Sequence, residues 1–179
     1  MCLHIENTHY ESDNEGFWRE IMLIRVIEES MYSRVKAFFT KHWGSSQMVT
    51  STGVHDCSLL DGFYATNDDH EIIGLITYHM TSQTCEIISL DSLEEGKGIG
   101  SRLMQVIEER AEQQQCNLLT LVTTNDNEHA IRFYQHRGYT VSQVIPNAVD
   151  LARKIKPEIP FYNEKGVPIK DEIVLIKHL

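Results

Sequence analysis

The amino-acid sequence predicts a single-domain α/β (α+β) fold in which a mixed β-sheet is flanked by helices. Apolar runs alternate with stretches that carry apolar residues every three or four positions, which is typical of alternating strands and helices. Two β-rich runs joined by four turn-favouring residues predict an antiparallel hairpin. An apolar run, a glycine-rich turn, an amphipathic helix and a second apolar run then predict a central strand–turn–helix–strand unit. The domain is assigned to residues 21–179, after a polar, acidic N-terminal extension at 1–20.

The first elements are a strand and a long helix. Residues 21–27 are mostly apolar and predict the opening strand. Residues 28–42 carry apolar side chains at helical spacing, and Gly44 is placed where a glycine ends a helix. A short strand at 47–52 and a loop at 53–56 are predicted next.

The hairpin and the central unit follow. Residues 62–66 pair with 71–80, and Gly74 in the second strand indicates a bulge or a close backbone approach. The central unit opens with a strand at 84–90 and continues through a helix that ends near Gln115. The continuous apolar run at 118–123 predicts a buried strand beside the first.

A second helix starts after the central unit. Asn125 as N-cap and Glu128 three residues later form a capping-box pattern, and Gly138 lies just past the helix, which runs to about Arg137. The remaining predictions are a strand at 139–145, a short helix at 147–156, a proline-rich ordered loop at 156–170 and a final strand at 171–177.

Composition narrows the class of protein. Sixteen Lys and Arg against 26 Asp and Glu give a net charge of −10, which argues against a nucleic-acid-binding surface and is compatible with a cationic substrate. Four cysteines with no CxxC pair and no metal-ligand spacing predict reduced thiols and no metal site. No signal peptide or membrane-spanning run is recognised, so we expect a cytoplasmic protein without a membrane partner. A homodimer is left open.

The glycine turn has a spacing that two nucleotide-binding motifs do not allow. Lys97 lies between glycines rather than before a hydroxyl residue, which excludes a P-loop, and Leu103 replaces the third glycine of a dinucleotide fingerprint. Glycine N–H groups at a helix N-terminus nevertheless favour an anion, although a purely structural turn accounts for this segment equally well.

Two segments carry recognisable motifs, namely Glu95-Gly96-Lys97-Gly98-Ile99-Gly100 and the later NEHAIRFYQHRGY. Together they resemble the GNAT family of N-acetyltransferases. The first resembles the family's Q/R-x-x-G-x-G/A signature, except that Glu95 replaces Gln or Arg, and the second resembles its N-x-x-A-x-x-F-Y-x-x-x-G-F/Y pattern. Asn127, Ala130 and Tyr134 of that segment share one helix face, which would leave a groove for a slender chain or pack as core.

The resemblance implies an acetyl-CoA-dependent transfer to an amine, in which the turn wraps the pyrophosphate and backbone N–H groups near the end of the preceding strand hold the acyl end. Glu95 is expected to point outward, because a carboxylate repels phosphate. Asn127 would bind the pantetheine arm, and Tyr134 would protonate the leaving sulfur. The implied cofactor-binding residues are Leu90, Asp91, Ser92, Glu95, Gly96, Lys97, Gly98, Ile99, Gly100, Ser101, Asn127, Ala130 and Tyr134.

The general base has several candidates. Glu86 shares a strand face with Ile88 and Leu90 in a segment that otherwise looks buried, and it is our first candidate, with a structural ion pair as the alternative. His79 on the preceding strand is the second, and Asp91 would orient water or cap the turn. A covalent route through Cys85 or Cys116 is disfavoured because neither has an activating partner in the sequence.

The acceptor amine is not identified by any motif. We expect its site to come from the first long helix, residues 53–60 and residues 157–170, with Trp43, Phe63 and Tyr162 as candidate lining residues. The alternative to an enzyme is an acyl-CoA-binding regulatory module that has lost catalysis. Glu95 favours that alternative and Tyr134 disfavours it.

Overall fold

A computed structural model describes residues 23–94 and 96–179 of the chain, so the predicted extension at 1–20 and Glu95 lie outside the described residues. The mixed α/β fold is confirmed. The strands are Leu23–Val26 (β1), Gln47–Thr50 (β2), Gly53–Asp56 (β3), Asp61–Thr66 (β4), Ile72–Met80 (β5), Thr84–Ser92 (β6), Leu118–Thr124 (β7), Thr140–Ile145 (β8) and Glu172–His178 (β9). The helices are Tyr32–Trp43 (α1), Ile99–Gln113 (α2), Glu128–Gln135 (α3) and Ala148–Ile155 (α4).

Seven strands form the main sheet in the order β1-β4-β5-β6-β7-β9-β8, and β2 and β3 form a separate hairpin. Only β6 and β7 are parallel neighbours within the described sheet, because α2 carries the chain back between them. The strand–turn–helix–strand unit predicted from the sequence is therefore present at the centre of the sheet.

The two faces of the sheet carry separate cores. On one face, α2 buries Leu103, Met104 and Ile107 against Ile76 and Ile87 of the sheet. On the other face, α1 packs its own apolar side chains, Val35, Phe38 and Phe39, against Tyr64, Leu75 and the 3₁₀ turns at 29–31 and 57–59. The sheet is thus covered by helices on both sides.

A β-bulge at Ile88 changes which face the end of β6 presents. Thr77 pairs with Ser89 and Tyr78 pairs with Ile87, so Ile88 is the extra residue. Side chains alternate faces with a period of two, and one inserted residue reverses the alternation. Ile88 packs against the α1 core whereas Leu90 packs against the α2 core, so the prediction that they share a face is wrong.

Strands β6 and β7 pair over only part of their length. Their register runs from Thr84↔Leu118 to Ile87↔Leu121, and the bulge residue comes next. Both strands continue beyond this point, β6 to Ser92 and β7 to Thr124, without pairing to each other. The two strands therefore separate before the glycine turn.

Several local predictions can be compared with the structure. Gly44 ends α1 with φ +74, as predicted. Gly74 combines a neighbouring register shift with close packing, since a Cβ there would clash with Cγ2 of Ile99. The prediction of a loop at residues 53–56 is wrong, because these residues form a strand that pairs with β2.

The predicted cap of α3 is also wrong by two residues. Asn127 is the N-cap, and its Oδ1 accepts a hydrogen bond from the N–H of Ala130 at 3.1 Å. Asn125 instead bridges to the 156–170 segment, where its Oδ1 accepts from the N–H groups of Lys170 and Asp171. A long-range contact thus competes for the side chain that the local pattern assigns to the helix.

Among the helices that the structure describes, none combines the length and the apolar character required to cross a bilayer.

Candidate active site

The glycine turn joins β6 to α2 in a left-handed backbone conformation. Gly96 has φ +77 and Gly98 has φ +75, a region that residues with a Cβ rarely adopt. A Cβ at either position would meet no atom within 4 Å, so both glycines border open space. Gly98 is the N-cap of α2 and provides no side-chain cap, so the N–H groups of the first helical turn have no partner within the helix. The turn therefore offers an anion a set of N–H donors and the positive end of a helix dipole.

Arg137 adds a full positive charge beside the turn. Its guanidinium stacks 3.5 Å above the Phe133 ring centroid and donates to the backbone oxygen of Phe133 at 2.8 Å. A second N–H of the same group donates to Oγ of Ser101 in the first turn of α2. Phe133 itself lies beside Gly100, where a Cβ would be in ordinary contact with the ring at 3.5 Å. The sequence analysis missed Arg137, whose partner Ser101 lies 36 residues away.

A cavity of about 800 Å³ passes through the separation between β6 and β7. Its β6 wall consists of Ile87 to Asp91, and its α3 wall includes Asn127, Ala130 and Tyr134. On the α1 side it is lined by Trp43 and by Met48–Thr50 of β2, and α4 and residues 158–169 close it further. Both faces of the sheet thus contribute to one cavity.

The predicted cofactor residues fall into two adjoining groups. Leu90, Asp91, Asn127, Ala130 and Tyr134 line the cavity. The others lie at the end of β6, in the glycine turn and in the first turn of α2, namely Ser92, Gly96, Lys97, Gly98, Ile99, Gly100 and Ser101. Lys97 is ion-paired with Glu94 at 3.1 Å. Glu95 lies outside the described residues.

Tyr134 is held in the cavity wall by aromatic neighbours. Its ring makes edge contacts with Phe133 and Tyr139, with centroids 5.2 and 5.7 Å apart, and the residue is buried. Burial raises the pKa of the phenol far above its ordinary value, and the charge of Asp91 adds to the rise. The phenol therefore keeps its proton throughout the neutral and mildly alkaline range.

Neither of the first two base candidates lines the cavity. Glu86 is half-buried in β6 between His79 of β5 and Thr120 of β7, below the point where the strands separate. His79 is exposed. The catalytic role of Glu86 stays a prediction, and the β6 carboxylate that lines the cavity is Asp91.

Asp91 is buried beside the cavity and is held by Trp43. The indole N–H of Trp43 donates to Oδ1 of Asp91 at 2.8 Å, which connects the end of α1 to the end of β6. Asp91 is only 8% exposed, and its Oδ2 has no hydrogen-bond partner among the described residues. Burial raises the pKa of Asp91 from its ordinary 3.8 to about 6, partly offset by the Trp43 hydrogen bond.

Cys85 and Cys116 are both buried. Burial raises the pKa of Cys85 to about 12, so its thiol is protonated at neutral pH. Cys116 is also buried, and its Sγ contacts the backbone oxygen of Thr81 at 3.8 Å. These environments agree with the expectation that transfer does not proceed through either thiol.

The residues predicted to line the acceptor site lie in different parts of the structure. Trp43 lines the cavity, whereas Phe63 stacks on Tyr78 in the α2 core and Tyr162 is 62% exposed. Residues 158–169 contribute to the lining as expected. Glu172 was not predicted; it is 2% exposed in the cavity wall, where its Oε2 accepts from the N–H of Ser51 at 2.9 Å.

The burial of Asp91 predicts a pH-dependent cost in stability. A folded-state pKa near 6 against 3.8 means that the folded protein binds the proton more tightly, so this group lowers the free energy of unfolding as pH rises from about 4 to above 6. The change corresponds to at most about 3 kcal/mol. Asp91→Asn is therefore expected to be more stable than wild type at pH 8, by about 1 to 3 kcal/mol, and to lose roughly two-thirds of this advantage at pH 4.5. Urea unfolding at both pH values measures the difference, and an equal difference at both would contradict it.

Comparisons with known proteins agree with this architecture. The family model described as "Acetyltransferase (GNAT) family" matches residues 28–139. Two proteins of Bacillus subtilis (strain 168), both named as uncharacterized, are similar in sequence. YdhI is 54% identical over 157 residues, covering 88% of this chain and 98% of YdhI. YxbD is 52% identical over 145 residues, covering 81% of this chain and 91% of YxbD.

A solved structure shares the fold at low sequence identity. The crystal structure of a GNAT family acetyltransferase from Elizabethkingia anophelis, with acetyl-CoA bound, superposes with a TM-score of 0.63 at 18% identity. The alignment covers 88% of this chain and 98% of that one. Because the family model matches more than half of the residues of the present chain, this chain belongs to the GNAT acetyltransferase family.

Proposed function

We propose that the chain is an acetyl-CoA-dependent N-acetyltransferase that acetylates a primary amine, of a small molecule or a protein, by direct transfer in a ternary complex. The observation that carries this proposal is the continuity of the site. The glycine turn, whose backbone suits an anion, directly follows the β6 wall of a cavity at the separation of β6 and β7, and the phenol of Tyr134 lies in the wall of that cavity.

The turn fits the phosphates of CoA. Gly96 and Gly98 leave the space that a Cβ would occupy, and the first turn of α2 supplies N–H donors. Arg137 adds a cation at Ser101, which compensates for the acidic Glu95 in the family signature. The acetyl-CoA bound to the Elizabethkingia protein supports the same ligand here.

The cavity fits the pantetheine arm. Because Oδ1 of Asn127 is occupied by the N–H of Ala130, the side chain offers its NH₂ group as a donor to an amide oxygen of the arm. Ala130 keeps the groove between Asn127 and Tyr134 open. The end of β6, around Leu90 to Ser92, pairs with β5 but not with β7, so the edge that faces β7 offers backbone N–H groups to the acetyl carbonyl.

Acetyl-CoA supplies an activated thioester, and the residues of the chain orient it and manage protons. Tyr134 donates its proton to the sulfur as the thioester bond breaks. Its raised pKa keeps the phenol in the acid form.

The second candidate is a CoA-binding module without catalysis, favoured by the acidic Glu95 of the signature. Titration calorimetry with acetyl-CoA and a thiol-release assay with a panel of primary amines distinguish the two. We expect binding and amine-dependent release of CoA. Binding with no release for any amine would favour the module, and no binding at millimolar acetyl-CoA would refute both.

A further inference from the structure

The acceptor end of the cavity contains a carboxylate with one oxygen left unused. Trp43 fixes Oδ1 of Asp91 at 2.8 Å, and Oδ2 is buried without a partner among the described residues. A buried carboxylate oxygen without a partner costs free energy, and a cation or a proton placed there removes that cost. The arrangement is therefore complete only when a donor occupies the cavity beside Asp91.

The bulge at Ile88 places this carboxylate opposite the donor side. After the bulge, Asp91 pairs with Leu75 of the α1 core, while its neighbour Leu90 packs on the α2 core. Asn127 and Tyr134 approach the cavity from α3, and Trp43 approaches it from the end of α1. Asp91 and Tyr134 thus line one cavity from two sides, as direct transfer requires of a base and an acid.

The charges around the cavity favour a cation. Among the described lining residues, six carboxylates face two lysines; the carboxylates belong to Asp91, Asp126, Glu128, Glu158, Glu164 and Glu172. Lys156 is already engaged, because its Nζ donates to the backbone oxygen of Gln47 at 3.0 Å. The remaining negative charge attracts an amine in its ammonium form.

We propose, building on the proposed acetyltransferase function, that Asp91 held by Trp43 binds the ammonium group of the acceptor. Asp91 is then the base that takes a proton from the amine nitrogen as this nitrogen attacks. The acceptor class is accordingly a small primary amine that is cationic in solution.

The step balances as follows. The bound ammonium first releases one proton to solvent. As the amine nitrogen attacks the acetyl carbon, Asp91 takes a second N–H proton and the new N–C bond forms. The C–S bond breaks with its electron pair on sulfur, which takes the proton of Tyr134. A proton then passes from Asp91 through water to the Tyr134 phenolate, so both residues return to their starting states.

Several groups around Asp91 influence its titration. Trp43 of α1 donates to it, and the Tyr134 phenol of α3 and the buried Cys57 thiol of the 3₁₀ turn at 57–59 interact with its charge. Burial raises the pKa of Cys57 to about 11, so that thiol is neutral when Asp91 titrates. Glu172 of β9 lines the same cavity. An acidic limb near pH 6 is therefore assigned to Asp91.

Binding is tested with n-butylammonium on the CoA complex. The chain has two tryptophans, so Trp18→Phe leaves Trp43 as the only indole reporter. We expect saturable quenching by n-butylammonium, at least about 10-fold weaker in Asp91→Asn, and no response to 1-butanol. Asp69→Asn in the exposed hairpin turn is the matched control and should behave as wild type.

Proton transfer is tested by the turnover of n-butylamine with acetyl-CoA. Asp91→Asn should lower kcat/KM by about 100-fold or more and remove the acidic limb. Trp43→Phe should move the acidic limb to higher pH, because the hydrogen bond from Trp43 stabilises the charged carboxylate and its loss raises the pKa of Asp91. A merely structural Trp43 would leave the midpoint of the limb in place. Acetyl-CoA affinity should be unchanged in both variants.

Other outcomes overturn the assignment. The first is that the wild type shows neither quenching by n-butylammonium nor turnover of n-butylamine. The second is that Asp91→Asn binds and turns over as the wild type does. The third is that Glu86→Gln loses the acidic limb while Asp91→Asn retains it. Failure of wild type to bind acetyl-CoA would instead refute the proposed function.

Discussion

Replacing Gly98 by valine is expected to abolish measurable acetyl-CoA binding, a loss of at least about 100-fold or about 3 kcal/mol. Gly98 has φ +75, and a β-branched residue in this region is strained by about 1–2 kcal/mol. The new side chain would also extend into the open space where the phosphates are proposed to lie, since a Cβ there meets no atom within 4 Å. Titration calorimetry with acetyl-CoA measures the effect.

Gly44→Val provides the matched control. Gly44 has φ +74 and the same open surroundings, but it ends α1 rather than starting α2. It should impose similar backbone strain, visible in urea unfolding, and leave acetyl-CoA affinity near the wild-type value. Normal binding by Gly98→Val would remove the turn from the proposed site.

The variant Tyr134→Phe should lower turnover by about 100- to 1,000-fold while acetyl-CoA affinity stays within about twofold. The change removes the proton donor and keeps the ring, whose contacts with Phe133 and Tyr139 hold the cavity wall. Thiol release under saturating amine measures the rate, and calorimetry measures the affinity.

Tyr139→Phe tests whether the effect is specific to the cavity. The hydroxyl of Tyr139 is buried near Glu108 and does not line the cavity, whereas its ring contacts that of Tyr134. Removing it should leave turnover near wild type. Equal rates for Tyr134→Phe and wild type would exclude the proposed acid role.

Much of the fold could be predicted because its signals are local. The glycine turn, the hairpin and the helix that ends at Gly44 each depend on residues within one short segment. The parallel unit was predictable for the same reason, since an apolar run on either side of an amphipathic helix has few other arrangements.

The rest depended on contacts that no local pattern encodes. Trp43 and Asp91 are 48 residues apart, and the Asn125 side chain bonds to Lys170 rather than to its own helix. The prediction that Leu90 shares a face with Ile88 is wrong because period-two counting fails at the Ile88 bulge. The turn was therefore predicted from the sequence, whereas the acceptor end of the cavity required the structure.

The bulge at Ile88 also determines how relatives of this chain should be aligned. An alignment that counts from the beginning of β6 takes Glu86 as the carboxylate on the side proposed for the amine. An alignment that counts back from the glycine turn takes Asp91 instead. Gain or loss of a single residue in this strand would exchange the donor-side and acceptor-side roles of every position after it. Under the proposed function, we expect differences in amine preference among relatives to follow strand length at this point rather than residue type alone.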